Sequence, residues 1–228
     1  MVKLKDWKTN ANGQKFIASF SGGKDSSLAL YKAMKVGDAV GLIVMLEEEG
    51  KRSRSHGMPP ELIRAQAKSI GLPVYSAAAS WDEYENKFIE LLEQVKNDGA
   101  DVLVTGDLDM PAEGCWHEKV TNHVGLKLAM PLWQMNHHDA VKEFIDLGFV
   151  TMLVTVNLSL GMREDDLGRT LTYEYIKELE ARGIDPCGEG GEFHTTVIDG
   201  PIFKHPISVR KGEIFKDGEY AFLPLALA

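Results

Sequence analysis

The first 132 residues alternate short apolar runs with amphipathic stretches, and that alternation leaves the chain few folds to adopt. Phe16–Phe20 (FIASF), Val40–Leu46 (VGLIVML), Leu72–Ala78, Ala100–Thr105 and Leu126–Leu132 read as strands. Between them, helices are expected at Ser26–Met34, Pro59–Ile70, Asp82–Asn97 and His117–His123. Pro59 suits the start of a helix and Gly71 its end, because proline presets the helical φ and glycine tolerates a left-handed stop. Tyr84, Phe88, Leu91, Leu92 and Val95 recur at helical spacing. Asp82 stands where a capping side chain is wanted. Strands separated by helices imply βαβ units and a parallel sheet covered on both faces, which explains the unbroken apolar runs. Right-handed crossovers then leave an α/β fold with an open, doubly wound parallel sheet of about five strands.

The pattern changes after Trp133–His138. Val141, Phe144 and Ile145 mark a helix after His138, Phe149–Val156 a strand, and Thr172–Arg182 a helix ended by Gly183. Beyond Gly188 the chain reads as hairpins, with turn signals at Arg210-Lys211-Gly212 and Lys216-Asp217-Gly218. The expected organisation is a first domain over residues 1–134 and a second, smaller α/β domain over 135–228. A length of 228 residues suits this, at roughly 150 residues per domain.

Composition excludes several classes. A chain with 44% hydrophobic and 26% charged residues is neither disordered nor fibrous. The apolar runs fall far short of the ~20 residues that cross a bilayer. The start MVKLKDWKTN lacks the apolar core of a signal peptide, so a cytoplasmic location and no membrane partner are expected. Lys and Arg total 25 against 34 Asp and Glu, a net charge of −9. Nucleic-acid binding draws on basic surfaces, so no nucleic-acid partner is expected. The mixed-sign stretch Glu47–Arg54 reads as a solvated loop. Cys115 and Cys187 lack CxxC spacing, which fits a reducing compartment and argues against structural zinc or an iron–sulfur cluster.

The chemistry concentrates in two motifs. Ser21-Gly22-Gly23-Lys24-Asp25-Ser26 lies directly after a strand and before a helix. Two glycines allow a sharp turn that brings backbone N–H groups close to an anion. The helix start adds donors and partial positive charge, the serines add hydroxyls, and Lys24 adds a compact cation. The spacing is neither GxxxxGK[ST] nor GxGxxG. The second motif is Asp185-Pro186-Cys187-Gly188-Glu189-Gly190-Gly191-Glu192-Phe193-His194-Thr195, followed by Asp199-Gly200-Pro201-Ile202-Phe203. Glycines around Glu189 and Glu192 allow a tight acidic loop that could place a metal, bind ammonium or orient an amine.

SGGKDS after FIASF resembles the pyrophosphate-binding loop of the PP-loop ATPases, within the adenine-nucleotide alpha-hydrolase (HUP) superfamily. The resemblance implies that Ser21, Gly22, Gly23, Lys24, Asp25 and Ser26 hold the β- and γ-phosphates of ATP. It also implies cleavage between the α- and β-phosphates and formation of an adenylate. GEGGEFHT with the downstream DGPIF resembles the second-domain signature of the diphthine–ammonia ligase family. Gly106-Asp107-Leu108-Asp109, Pro131-Leu132-Trp133 and Leu167-Gly168-Arg169 extend that resemblance over nearly the whole chain. It implies an ATP-dependent carboxylate–ammonia ligase, AMP-forming, acting on a protein side chain or a small molecule. Lys24, Glu189, Glu192 and His194 would be catalytic. Val2 and the context of the two cysteines offer no glutaminase nucleophile, so free ammonia is the expected nitrogen source.

His194 is a departure, because family ligases typically have an acid there. The histidine form resembles bacterial relatives whose hosts lack diphthamide, some of them linked to cobalamin salvage. A cobalamin-salvage-related amide ligase, a non-catalytic ATP-binding regulatory protein and a sulfur transferase using Cys115 and Cys187 are the alternatives.

Other positions follow from the topology. Gly106–Asp109 should lie at the carboxyl end of a parallel strand, where such sheets bind ligands. Asp107 or Asp109 could hold Mg²⁺, which favours a few carboxylates with phosphate oxygens and water. Ser55, His56, Gly57 and Met58 should line an adenosine or substrate pocket at the same edge. Arg163 and Arg169 are candidates for gripping an anionic substrate. His117-Glu118-Lys119 is not HExxH, and His137-His138 reads as a surface helix start. The hairpin-rich second domain could supply a homodimer contact.

Overall fold

Five short apolar segments pair side by side, all in one direction, in a computed structural model that describes residues 6–54, 56–111 and 114–228. The chain forms two compact units. One comprises Met1–Ser21, Asp25–Lys51 and Leu72–Gln134; the other comprises Gly22–Lys24, Arg52–Gly71 and Met135–Ala228. Residues 52–71, which the alternation assigns to the first domain, thus group with the second unit.

The first unit begins with α1 (Trp7–Ala11), capped by the Asp6 side chain on Thr9 N–H. Its strands are β1 (Lys15–Ser19), β2 (Asp38–Leu46), β3 (Val74–Ala78), β4 (Val102–Val104) and β5 (Lys127–Ala129), in the order β3-β2-β1-β4-β5. Every neighbouring pair is parallel. The helices are α2 (Lys24–Met34), α4 (Tyr84–Asn97) and α5 (Trp116–Val124). This is the doubly wound α/β arrangement that the alternation predicts. Ile17, Ile43, Leu103 and Leu128 from the sheet meet Phe88, Leu92 and Val95 of α4 and Val120 of α5. Apolar area removed from water here is worth roughly 25 cal/mol per Å².

Two expectations are corrected. Glu83, not Asp82, occupies the N-cap of α4, and it makes no side-chain cap bond. Its carboxylate instead receives the Ser80 hydroxyl at 2.9 Å. The Leu126–Leu132 run pairs as a strand only over Lys127–Ala129. Pro131 has no N–H for a ladder, and a turn follows that places Gln134 at φ 57°. Leu126 and Leu132 are nevertheless buried. Apolar runs report burial, and the ladder is a narrower condition.

The second unit holds α3 (Pro60–Ile70), α6 (His137–Asp146), α7 (Tyr173–Ala181), β6 (Val150–Asn157), β7 (Phe193–Asp199), β8 (Val209–Lys211), β9 (Phe215–Asp217), β10 (Tyr220–Phe222) and β11 (Leu225–Leu227). Its main sheet is antiparallel, in the order β7-β6-β10-β9. Asp217-Gly218 turns β9 into β10 as the sequence suggests, with Gly218 at φ 58°. Arg210-Lys211-Gly212 is not a hairpin turn: Arg210 and Lys211 lie in β8, which pairs with β11. Gly71 ends α3 in the left-handed conformation at φ 91°.

Asp166 anchors the lower part of this unit. Its buried carboxylate accepts two bonds from Arg182, at 2.9 and 2.8 Å, and one from the Tyr175 hydroxyl at 2.9 Å. Burial raises the Asp166 pKa, but Arg182, the Arg163 N–H and Tyr175 outweigh it and hold the carboxyl below its usual range. No helix among the described residues is long and apolar enough to cross a membrane.

Leu92 is fully buried in the first core. Leu92→Ala is expected to lower unfolding free energy by about 2–5 kcal/mol through lost transfer energy and a residual cavity. Urea denaturation followed by circular dichroism measures this, and a loss under ~1 kcal/mol would mean the core is not packed as described.

Candidate functional site

Every glycine that matters in the first motif is held by a close neighbour. Gly22 adopts φ 79°, and a Cβ there would fall 2.5 Å from Gln66 Oε1. Its carbonyl accepts from Val197 N–H at 2.8 Å and from Gln66 Nε2 at 3.0 Å. A Cβ on Gly23 would fall 2.4 Å from His56 Cε1 and 3.0 Å from the Thr195 carbonyl. A side chain at Gly22 would be strained by the positive φ and would displace Gln66, and one at Gly23 would press on His56 and the Thr195 carbonyl. Lys24 N–H donates to Thr195 Oγ1 at 3.1 Å. The Lys24 side chain is buried, with Nζ 3.8 Å from Glu189 Oε1.

These contacts lie within the second unit and join the two motifs. The loop reaches the middle of β7, the strand that carries Phe193, His194 and Thr195. Strand β6 aids the aim. Its register against β7 shifts between Leu153 and Thr155, so Thr195 faces Leu153 and His194 faces Thr155. Such a bulge redirects side chains locally.

The acidic loop before β7 is pinned by Asp185. Its carboxylate accepts Cys187 N–H at 3.0 Å and Glu189 N–H at 3.1 Å, and meets His137 Nδ1 at 2.8 Å. The aspartate thus fixes the backbone from which Glu189 projects. Glu192 is half-buried, and its Oε2 has no hydrogen-bond partner among the described residues.

His194 and His56 stack at a tilt, with ring centroids 4.8 Å apart. His56 Nδ1 lies 2.8 Å from the Thr195 carbonyl. A carbonyl only accepts, so Nδ1 carries a proton. His194 is pushed down to about 3 from the ordinary 6.5, first by burial, then by the positive potential of His56 and Lys24. It is neutral at physiological pH.

In the first unit, Ser21 Oγ and Ser26 Oγ lie 3.2 Å apart across the ends of the loop. Asp25 stands in the first turn of α2. A Cβ on Gly106 would fall 2.7 Å from the Asp25 carbonyl carbon and 2.8 Å from Ser26 N. The chain leaving β4 thus runs against the first turn of α2, at the carboxyl edge of the sheet. Asp107 is half-buried, with Oδ2 3.7 Å from His117 Nε2, whereas Asp109 is exposed.

The remaining candidates separate. Gly57 is half-buried and Met58 buried, while Ser55 lies outside the described residues. Arg169 is not poised for a substrate: it makes a two-bond fork with Glu178, at 2.8 and 2.7 Å, and lies over the Tyr175 ring. Arg163 is exposed and uses its backbone N–H on Asp166. His138 pairs with Glu180 at 2.7 Å. Cys115 and Cys187 are buried and not joined in a disulfide, and Cys187 Sγ lies 3.9 Å from Glu189 Oε1.

Gln66 and Asp185's pinning role are absent from the motif reading. Gln66 left one trace in the sequence. It falls on the apolar stripe of α3, four residues after Leu62 and four before Ile70, where a polar residue needs a partner.

A five-stranded parallel sheet with SGGKDS between its first strand and the next helix defines an α/β protein of PP-loop type. The chain belongs to the diphthamide synthase family: the family's N-terminal domain model matches residues 14–128 and its C-terminal domain model residues 136–226. A human protein named diphthine–ammonia ligase is 28% identical over 236 residues, covering 92% of this chain and 88% of the relative. The protein of that name from Bos taurus is 32% identical over 169 residues, covering 72% of this chain and 62% of the relative. That from Schizosaccharomyces pombe is 27% identical over 92% of this chain, which spans 38% of its length. A solved structure from Methanocaldococcus jannaschii, titled a predicted subunit of tRNA methyltransferase, aligns with a TM-score of 0.46 at 18% identity. It covers 82% of this chain and 97% of that one.

The depressed His194 has a measurable consequence. Unfolded, the ring takes a proton near pH 6.5, and folded only near 3. The unfolded state therefore binds more protons in that window, and stability falls as pH drops through it. Between pH 7.5 and 5, wild type should lose up to about 2 kcal/mol more than His194→Gln, which cannot titrate. Urea denaturation at both pH values measures the difference; equal losses would mean His194 is protonated as readily in the fold as outside it.

Proposed function

We propose that this chain is an ATP-dependent ligase that activates a carboxylate as an acyl adenylate, releases pyrophosphate and passes the acyl group to ammonia. The observation that carries this reading is the approach of Lys24 Nζ to Glu189 Oε1, 3.8 Å, with Lys24 N–H bound to Thr195. The lysine of an anion-binding loop and the acidic motif belong to one cluster. A reaction that cleaves a phosphoanhydride and handles an ammonium ion uses a cation for the phosphates and a carboxylate for the ammonium, and the two lie side by side here. The names of the family relatives support the same chemistry.

ATP is a substrate here. Residues 21–26 suit its β- and γ-phosphates, because the two glycines let the loop turn sharply at the head of α2. The start of the 11-residue α2 and Lys24 oppose the phosphate charge. The substrate carboxylate attacks the α-phosphorus, and pyrophosphate leaves into these donors. Their stabilisation of departing charge, together with positioning, would supply most of the acceleration. Asp107, half-buried at the sheet edge, and Asp109, exposed two residues on, would be the carboxylate ligands to Mg²⁺. Magnesium would supply charge neutralisation of the phosphate oxygens.

The second half-reaction falls to the acidic motif. Glu189 and Glu192 attract ammonium; one carboxylate takes a proton to release ammonia, whose lone pair attacks the acyl carbon, and the other takes the second proton as the amide forms. A ring with a pKa of about 3 holds a proton poorly. His194 therefore suits a neutral hydrogen-bonding role toward the nitrogen rather than that of the base. AMP leaves and the amide remains. The carboxylate substrate would be a diphthine side chain, or a small metabolite if His194 has shifted the specificity.

Two measurements test this. Lys24→Ala should lower turnover by at least about 10²-fold, the usual cost of losing a donor to transition-state charge; unchanged turnover would remove the site assignment. The protein should also be incubated with ATP, Mg²⁺ and ammonium, with either diphthine-bearing elongation factor 2 or a metabolite extract. AMP and pyrophosphate dependent on one of these additions are expected. ADP and phosphate would overturn the α-phosphorus chemistry.

A further inference from the structure

We infer that Gln66 is a positioning residue for the phosphate-binding loop, acting through the peptide between Gly22 and Gly23. The inference rests on the reading of residues 21–26 as the triphosphate site.

Gln66 lies on α3 and is 1% exposed. Its Nε2 donates to the Gly22 carbonyl at 3.0 Å, to the Val197 carbonyl at 2.7 Å and to Thr196 Oγ1 at 3.2 Å. The Gly22 carbonyl also accepts Val197 N–H at 2.8 Å, so both of its lone pairs are engaged. A trans peptide is planar, with its C=O and N–H pointing in opposite directions. With the carbonyl held toward β7 and Gln66, the Gly23 N–H is directed the other way. One amide side chain thus sets the aim of a loop donor while tying the loop to the strand that carries Thr195, Thr196 and Val197.

The other half of the side chain sharpens the point. Gln66 Oε1 is buried without a hydrogen-bond partner among the described residues. An acceptor left in that state is costly, and an apolar side chain of the same length would avoid the cost. Packing alone would therefore favour Leu or Met on this stripe of α3. The donor half of the amide is what the position uses.

The experiment compares the purified wild-type chain with Gln66→Met, which keeps length and volume but has no donor. Leu179→Ala, fully buried on α7 and not a partner in these bonds, serves as a control for general destabilisation. Calorimetry measures the affinity of each for ATP and for inorganic pyrophosphate, and thermal unfolding measures stability. Gln66→Met should weaken both ligands by at least about tenfold, the scale expected when a buried carbonyl loses a partner. Leu179→Ala should stay within about twofold despite its lower melting temperature. If Gln66→Met fails to fold, Gln66→Asn retains the amide but draws it back from Gly22, and the same loss is expected.

Affinity within about twofold of wild type in the glutamine variant would overturn the inference. So would an equal loss in Leu179→Ala, because binding would then follow stability alone. Wild type that binds neither ATP nor pyrophosphate would overturn the phosphate-loop reading itself, and this inference with it. That failure shows in the wild-type arm, so the two cases are distinguishable.

Discussion

The Gly22 carbonyl, accepting at once from Val197 N–H and Gln66 Nε2, is the constraint on which the second unit's site depends. It makes a glycine loop an extra partner of β7. Once that register is set, Lys24 N–H meets Thr195 Oγ1 and the Lys24 side chain comes near Glu189. A β-strand places side chains with a period of two. A slip of one residue would exchange Thr195 for His194 or Thr196 and dissolve the cluster. The double acceptance also explains why two consecutive glycines are needed. Gly22 requires a positive φ, and Gly23 lies against His56 and the Thr195 carbonyl.

Charge in this cluster is arranged so that the cations do not compete. Lys24 and two imidazoles lie together, and a proton on each would be repulsive. Burial resolves the conflict by keeping His194 neutral, and the potential of His56 and Lys24 reinforces it. At His56 the Thr195 carbonyl accepts the Nδ1 proton, which fixes the ring's orientation. Glu189 supplies the balancing negative charge beside Lys24. A neutral histidine next to two glutamates is a different surface from three acids.

The first unit solves a separate problem with the same economy. Of its five parallel strands, β1, β2 and β4 are mostly buried while the edge strand β3 stays partly exposed, and loops gather at the carboxyl edge. Gly106 lets the chain after β4 run against the first turn of α2, where any Cβ would collide with backbone. Asp107 is left half-buried near His117. The polar edge is held by a core of aliphatic strand residues and the Phe88–Leu92–Val95 face of α4.

The parallel sheet was legible because βαβ alternation, helix breakers such as Gly71 and unbroken apolar strands are local signals with one consistent solution. SGGKDS and GEGGEFHT stand out in the sequence because glycine beside charge has few uses. Less was readable where a residue's role depends on a distant partner. Arg169 looks available in sequence, yet Glu178 occupies it across a turn of structure. Arg210-Lys211-Gly212 has turn composition, yet it pairs with the last strand. Gln66 shows only as a polar break in an apolar stripe, and its partners are 44 and 131 residues away. By itself, then, the sequence determined the elements, the parallel sheet and the two motifs, since those follow from backbone preference and hydrophobic period. Only the tertiary structure decided which motif residues meet, which histidine stays neutral and which amide aims the loop. Those outcomes are set by burial and by hydrogen bonds between residues far apart in the chain, which no local pattern encodes.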